Sequence, residues 1–199
     1  MDIKIATRTF FDIKGILDKT GVKFWATDGT ALGAVREGGF ISYDRDIDLR
    51  VMATDWNFPA MFRKFKDAGF HCKLSINRPL YKDKPSCSVF HREGIRIDVC
   101  LGYYYPPKDL IVVLAARPTT INSAYPAKFF RGDCFVPFLG TKVRVPNPPE
   151  EYLDLHYGKD WRTPTKSKSW SGVKPISMTK YIEYFHEYPE TNQLKEAYL

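Results

Sequence analysis

Three aspartates stand at alternating positions in the run Asp44-Arg45-Asp46-Ile47-Asp48-Leu49-Arg50-Val51. Alternate side chains of a β-strand share one face, so Asp46 and Asp48 project together. Crowded carboxylates repel one another, and keeping them all ionised is costly unless a divalent cation neutralises them. Oxygen donors of this kind suit Mg²⁺ or Mn²⁺. A further acid, Asp98, lies in the alternating run Ile95-Arg96-Ile97-Asp98-Val99 and shares its face with Arg96 and Cys100; a mixed sheet would bring it beside the first pair. Spacing alone leaves two readings open, a metal site or a solvated acidic turn.

The segment upstream bears on that choice. Val22 to Ala26 reads as a short strand running into Asp28-Gly29-Thr30, where small and capping residues predict a turn into a helix N-terminus. Backbone N–H groups at such a terminus bind phosphate oxygens, and glycine permits close approach. Gly29 and Thr30 therefore read either as a phosphate cradle or as ordinary capping. A phosphate site there would neighbour a metal on the acids.

The elements that must position these residues follow from hydrophobic period. Ile5, Phe10, Phe11, Ile13 and Leu17 recur at helical spacing, with Gly21 as the stop. A second helix begins near Asp28 and ends at Gly38-Gly39, and Phe40 to Arg45 is loop. Phe58, Met61, Phe62 and Phe65 predict a helix between Trp56 and Ala68, with Arg63, Lys64 and Lys66 opposite. Ser88 to His91, a Glu93-Gly94 turn and Ile95 to Val99 form a hairpin signal. Leu110 to Ala115 and Lys142 to Val145 are further strands. Pro146-Asn147-Pro148-Pro149 precedes a helix over Glu150 to Tyr157, and a last short helix is expected near Thr179 to Glu187.

The stretch from Asp28 to Asp48, with Gly-Thr-Ala-Leu-Gly-Ala-Val-Arg at 29–36 and Gly-Phe-Ile-Ser-Tyr-Asp-Arg-Asp-Ile-Asp at 39–48, resembles the LicD family of the nucleotidyltransferase superfamily. That family includes bacterial phosphocholine transferases and the fukutin-related ribitol-phosphate transferases. Tyr157-Gly158 and Trp161, after a proline-rich approach, follow in the expected order, so the motif core runs from about residue 22 to 164. The sequence departs from the family pattern at Ala31, Glu37, Ser42, Tyr43 and Arg45, where Leu, His, Pro, Trp and an acid are usual.

The resemblance implies an α+β fold with a DNA polymerase β-like core, a mixed sheet flanked by helices, in a single domain spanning 1–199. It also implies roles. Asp46 and Asp48 would hold Mg²⁺ or Mn²⁺ on a donor diphosphate, and Asp98 would be the third carboxylate, ligating metal or taking the proton of an acceptor hydroxyl. Gly29 and Thr30 would cradle phosphate. Arg36 would reach the donor phosphate or pin the acidic loop; Asp44 would support the ligands or cap a turn; Arg45 would bind substrate phosphate or balance Asp44. Tyr157 and Trp161 read as stacking or core residues. The expected activity is transfer of a phospho-alcohol, such as phosphocholine or ribitol phosphate, from a CDP-linked donor to a glycan or glycoconjugate hydroxyl, with release of CMP. Two alternatives are a nucleotidyltransferase moving NMP from an NTP with loss of pyrophosphate, and a non-catalytic basic binding module.

Composition bounds the remaining choices. Of 199 residues 44% are hydrophobic and 27% charged, which excludes disordered and collagenous classes. A net charge of +7 favours anionic partners such as nucleotide phosphates. Nucleic acid is not the expected partner, because clustered acids would repel it. Lys159, Arg162, Lys166, Lys168 and Lys174 form a basic stretch near the C-terminus, read as a guide for anions or a solvated face. No apolar run approaches a membrane span and no secretory block opens the chain, so a cytoplasmic location is the expectation. Cys72, Cys87, Cys100 and Cys134 lack close pairing and read as reduced thiols, with zinc held alongside His71 or His91 as the minor alternative.

Overall fold

The computed structural model describes residues 1–76, 85–114 and 123–164. The helix expected at 179–187 and the residues Lys166, Lys168 and Lys174 lie outside them. The N-terminal helix α1 (Ile3–Thr20) is capped by the Asp2 carboxylate, which accepts from the Ile5 N–H. Gly21 at φ 69 ends it in the left-handed conformation that side-chain-bearing residues resist. Strand β1 (Phe24–Ala26), helix α2 (Asp28–Glu37) and strand β2 (Asp46–Met52) follow. Helix α3 (Phe58–Asp67) starts at Asn57, whose side chain accepts from the Ala60 N–H, and leads into β3 (His71–Ile76). The remaining elements are β4 (Pro85–Arg92), β5 (Ile95–Tyr105), β6 (Leu110–Val113), β7 (Ser123–Pro126), β8 (Phe135–Phe138), β9 (Thr141–Arg144) and α4 (Pro149–Tyr157).

Seven strands form one mixed sheet in the order β1-β2-β5-β4-β3, with β6 pairing the far end of β5 and β7 pairing β6. Among the described strands only β2 and β5 run parallel; β1 is antiparallel to β2, and β4 to β5. A parallel pair needs a long crossover connection, and the stretch through α3, β3 and β4 supplies it. Strands β8 and β9 make a separate hairpin.

The two faces of β2 and β5 differ as their period-2 sequences require. Ile47, Leu49 and Val51 on β2 and Ile97, Val99 and Leu101 on β5 are buried. They join one core with Ala6, Phe10, Ile13 and Leu17 of α1 and with Met61 and Phe65 of α3. Each large apolar side chain removed from water in this way contributes about 1.5–3 kcal/mol. Phe65 stacks on Phe90 of β4 with ring centroids 4.1 Å apart. The opposite face carries Asp46, Asp48 and Arg50 beside Arg96, Asp98 and Cys100.

Helix α2 lies against β1 and β2, and two contacts fix its start. The Thr27 N–H donates to the Asp48 carbonyl, and the Asp48 N–H donates to the Thr30 hydroxyl at 2.9 Å. Its C-terminal half packs so closely on the following loop that a Cβ at Gly33 would lie 2.4 Å from the Gly39 carbonyl oxygen. Among the described residues no helix is long and apolar enough to cross a membrane.

Candidate active site

Parallel pairing sets Asp46 opposite Arg96 and Asp48 opposite Asp98. One ligand oxygen from each of Asp46, Asp48 and Asp98 lies within 4.8 Å of the other two, and all three side chains are half-buried. Among the described residues this is the only group of three or more His, Cys, Asp or Glu side chains with metal-ligand spacing. The cysteines and His71 or His91 therefore assemble no zinc site there, and all four cysteines are free thiols.

The acids strain against one another. Burial, then the charges of Asp28 and Asp46, push the Asp48 carboxyl well above the ordinary carboxylate range. Burial and Asp98 raise Asp46 as well. Asp44 is pushed up to about 6, chiefly by burial, and its carboxyl shares a hydrogen bond with that of Asp46. It reaches this position because residue 29 is glycine: a Cβ there would fall 2.3 Å from Asp44 Oδ2. Carboxylates held above their ordinary range by burial and mutual repulsion are a donor set that a divalent cation relieves.

The other residues singled out from the sequence fall in distinct places. Thr30 is fully buried and its hydroxyl holds β2, so it acts through packing. Arg36 donates to Glu37 and to the Trp161 carbonyl at 3.1 Å, and it also bonds Tyr43. It straps the end of α2 to the chain beyond α4 and to the acidic loop, the latter through a tyrosine and not an acid. Arg45 is exposed, and its backbone N–H donates to Asp44 Oδ1. Trp161 is a core residue, 4% exposed, with its indole N–H on Asp154 at 2.8 Å. Tyr157 packs on the His156 ring.

Sequence reasoning gave no role to Asp28, Arg50, Tyr125, Tyr152 or His156, which form a buried polar cluster behind the acids. Arg50, 2% exposed, places Nη2 3.4 Å from Asp28 Oδ2 and its guanidinium over the Tyr125 ring. Burial alone would lower the Arg50 pKa, and the Asp28 charge reverses the sign, so the guanidinium stays firmly charged. Asp28 Oδ1 lies 3.3 Å from His156 Nε2, and the Tyr125 hydroxyl pairs with His156 Nδ1 at 3.0 Å. Burial lowers the His156 pKa, leaving a neutral ring. The Asp28 N–H donates to the Tyr152 hydroxyl, and Asp28 takes the left-handed φ of 47 at the first turn of α2. One signal was available: Arg50 continues the alternation of Asp46 and Asp48 onto the same face of an otherwise apolar strand.

Residues 21–148 match the family model described as LicD/FKTN/FKRP, nucleotidyltransferase domain. The chain is 29% identical over 181 residues to the ribitol-5-phosphate transferase FKTN of Homo sapiens, covering 89% of this chain and 38% of that protein. It is 24% identical over 152 residues to the ribitol 5-phosphate transferase FKRP of Homo sapiens, covering 73% of this chain and 30% of that one. With the uncharacterized protein RP689 of Rickettsia prowazekii it shares 43% identity over 102 residues, covering 48% of this chain and 38% of the other. The chain thus spans about two fifths or less of the length of these relatives. Among solved structures, that of the antibiotic-resistance factor ANT(2'')-Ia superposes with a TM-score of 0.50 at 13% identity, covering 98% of this chain and 90% of that one, a likeness of fold alone. The mixed sheet, the helix seated on its acidic strand and a family match over residues 21–148 agree: the chain belongs to the LicD/FKTN/FKRP family of nucleotidyltransferase domains.

Proposed function

We propose that this chain is a divalent-metal-dependent transferase that moves a phospho-alcohol, ribitol phosphate or a similar group such as phosphocholine, from a CDP-linked donor to a glycan hydroxyl. The carrying observation is the convergence of Asp46, Asp48 and Asp98 within 4.8 Å, in a family that contains ribitol-phosphate transferases. Those three carboxylates would hold Mg²⁺ or Mn²⁺, which supplies charge neutralisation for a donor diphosphate. The chain's own residues do the rest. Gly29, having no side chain, leaves room at the first turn of α2 for the Asp44 carboxylate beside the proposed metal ligands. Thr30 and Arg36 keep α2, the acidic loop and β2 in register. Asp98 is assigned to receive the proton of the acceptor hydroxyl. In the transfer the acceptor oxygen forms a bond to the alcohol-bearing phosphorus, the bridging P–O bond breaks, and its electron pair leaves with CMP.

The same carboxylates suit nucleotidyl transfer, so the nucleotide product separates the two activities. Incubation with CDP-ribitol, CDP-glycerol, CDP-choline or CTP and Mn²⁺, followed by anion-exchange chromatography, is expected to yield CMP from one CDP-alcohol. Pyrophosphate from CTP with no CMP from any CDP-alcohol would assign nucleotidyl transfer instead.

A further inference from the structure

Among the described residues, Arg96 is the cationic side chain paired with the acidic cluster itself. It stands opposite Asp46 in the β2–β5 register and two residues before Asp98 on the same face. Its guanidinium grips Asp98 at two points, Nε to Oδ1 at 2.7 Å and Nη2 to Oδ2 at 2.7 Å. Both oxygens of Asp98 are thereby occupied by a planar fork, the strongest geometry an arginine offers a carboxylate. Asp98 is only 15% exposed, whereas the Arg96 side chain is 51% exposed and is free on its outer side to swing into solvent.

A cation and a guanidinium are drawn to the same two oxygens and repel each other across them. A metal on Asp46, Asp48 and Asp98 must take at least one oxygen that Arg96 now holds. The displaced guanidinium stays tethered at the rim of the cluster, next to Asp46, where a diphosphate neutralised at that cluster brings the negative charge that Arg96 has lost. Arginine binds phosphate in the same two-point manner as carboxylate. We infer that Arg96 is an exchangeable clamp, paired with Asp98 as the structure shows it and transferred to the donor diphosphate when the carboxylates are loaded.

This inference rests on the metal reading of Asp46, Asp48 and Asp98, and its signature is a pair of effects of opposite sign. Removing Arg96 deletes the metal's competitor and the phosphate's partner together. Isothermal titration of wild type, Arg96→Ala and Arg96→Lys with Mn²⁺ alone, then with CDP at saturating Mn²⁺, reads both. Arg96→Ala is expected to bind Mn²⁺ about tenfold tighter and CDP about tenfold weaker than wild type. Arg96→Lys, which keeps the charge and loses the fork, falls between them in both titrations. Thermal melts check that each variant is folded, and a general loss of structure would weaken both ligands alike. Mn²⁺ affinity that is unchanged or weaker in Arg96→Ala, or CDP affinity that is unchanged, overturns the clamp. Failure of both wild type and Arg96→Ala to bind Mn²⁺ overturns the metal reading beneath it.

Discussion

Asp46→Asn and Asp48→Asn are each expected to lower turnover by on the order of 10³-fold and, at pH 7 without metal, to melt at a higher temperature than wild type. The loss follows from removing one of the three carboxylates proposed to hold the metal. The gain in stability follows from the direction of their pKa shifts. Burial and neighbouring acids hold the Asp46 and Asp48 carboxyls above their ordinary range in the folded chain. At pH 7 both groups are driven toward ionisation in the unfolded chain more readily than in the fold, so the fold carries a cost that asparagine does not.

The same linkage predicts a pH dependence. Asp44 sits at about 6 in the fold against 3.8 in its ordinary state, so its ionisation costs the fold stability above the folded value. That cost disappears as pH falls through 6 towards 4, so the metal-free protein gains stability over this window from Asp44, and Asp46 and Asp48 add in the same direction. Mn²⁺ should reverse the ranking, stabilising wild type and leaving the asparagine variants little changed. Melts of the three proteins at pH 5, 6 and 7, with and without Mn²⁺, together with CMP release, check both halves. A metal-free Asp48→Asn protein less stable than wild type at pH 7 would contradict the repulsion argument.

Asp28→Ala is expected to destabilise the fold by about 3–5 kcal/mol, the usual consequence of stripping a buried charge of its partner. Arg50 is 2% exposed, with Asp28 as its ion-pair partner. Losing Asp28 leaves that guanidinium against the rings of Tyr125 and Phe130 with no carboxylate. The double variant Asp28→Asn/Arg50→Met removes the charge as well and fills the space with apolar volume, so it should recover most of the loss. Urea denaturation of the two variants decides the matter. A cost below about 1 kcal/mol for Asp28→Ala would show that the pair does not hold α2 to β2.

The elements and the acids were legible because they obey short periods. Asp46 and Asp48 declare one face of a strand, Ile47, Leu49 and Val51 the other, and α1 and α3 announce themselves by helical stripes of Phe, Ile and Leu. The family resemblance added the expectation of a mixed sheet flanked by helices and the roles assigned to the acids. It could not add the polar cluster behind the site, since Asp28, Arg50, Tyr125, Tyr152 and His156 come from five separate stretches and meet only through the fold. Roles for individual polar side chains were likewise hidden. Thr30 is directed into the sheet and Arg36 to the Trp161 carbonyl by packing partners that sequence spacing does not reveal. Arg96 was visible on the face of Asp98, but its two-point grip depends on side-chain geometry.

The most direct test of metal-dependent handling of a CDP-linked donor is a thermal-shift panel on wild type and Asp46→Asn. CMP, CDP-choline, CDP-ribitol, CDP-glycerol, CTP, ATP and GTP are each added with and without Mn²⁺, since any ligand that binds the native state raises its melting temperature. One CDP-alcohol is expected to stabilise wild type only when Mn²⁺ is present, with the shift lost in Asp46→Asn. Stabilisation by nucleotides that is indifferent to Mn²⁺, or no shift with any of them, would contradict the account.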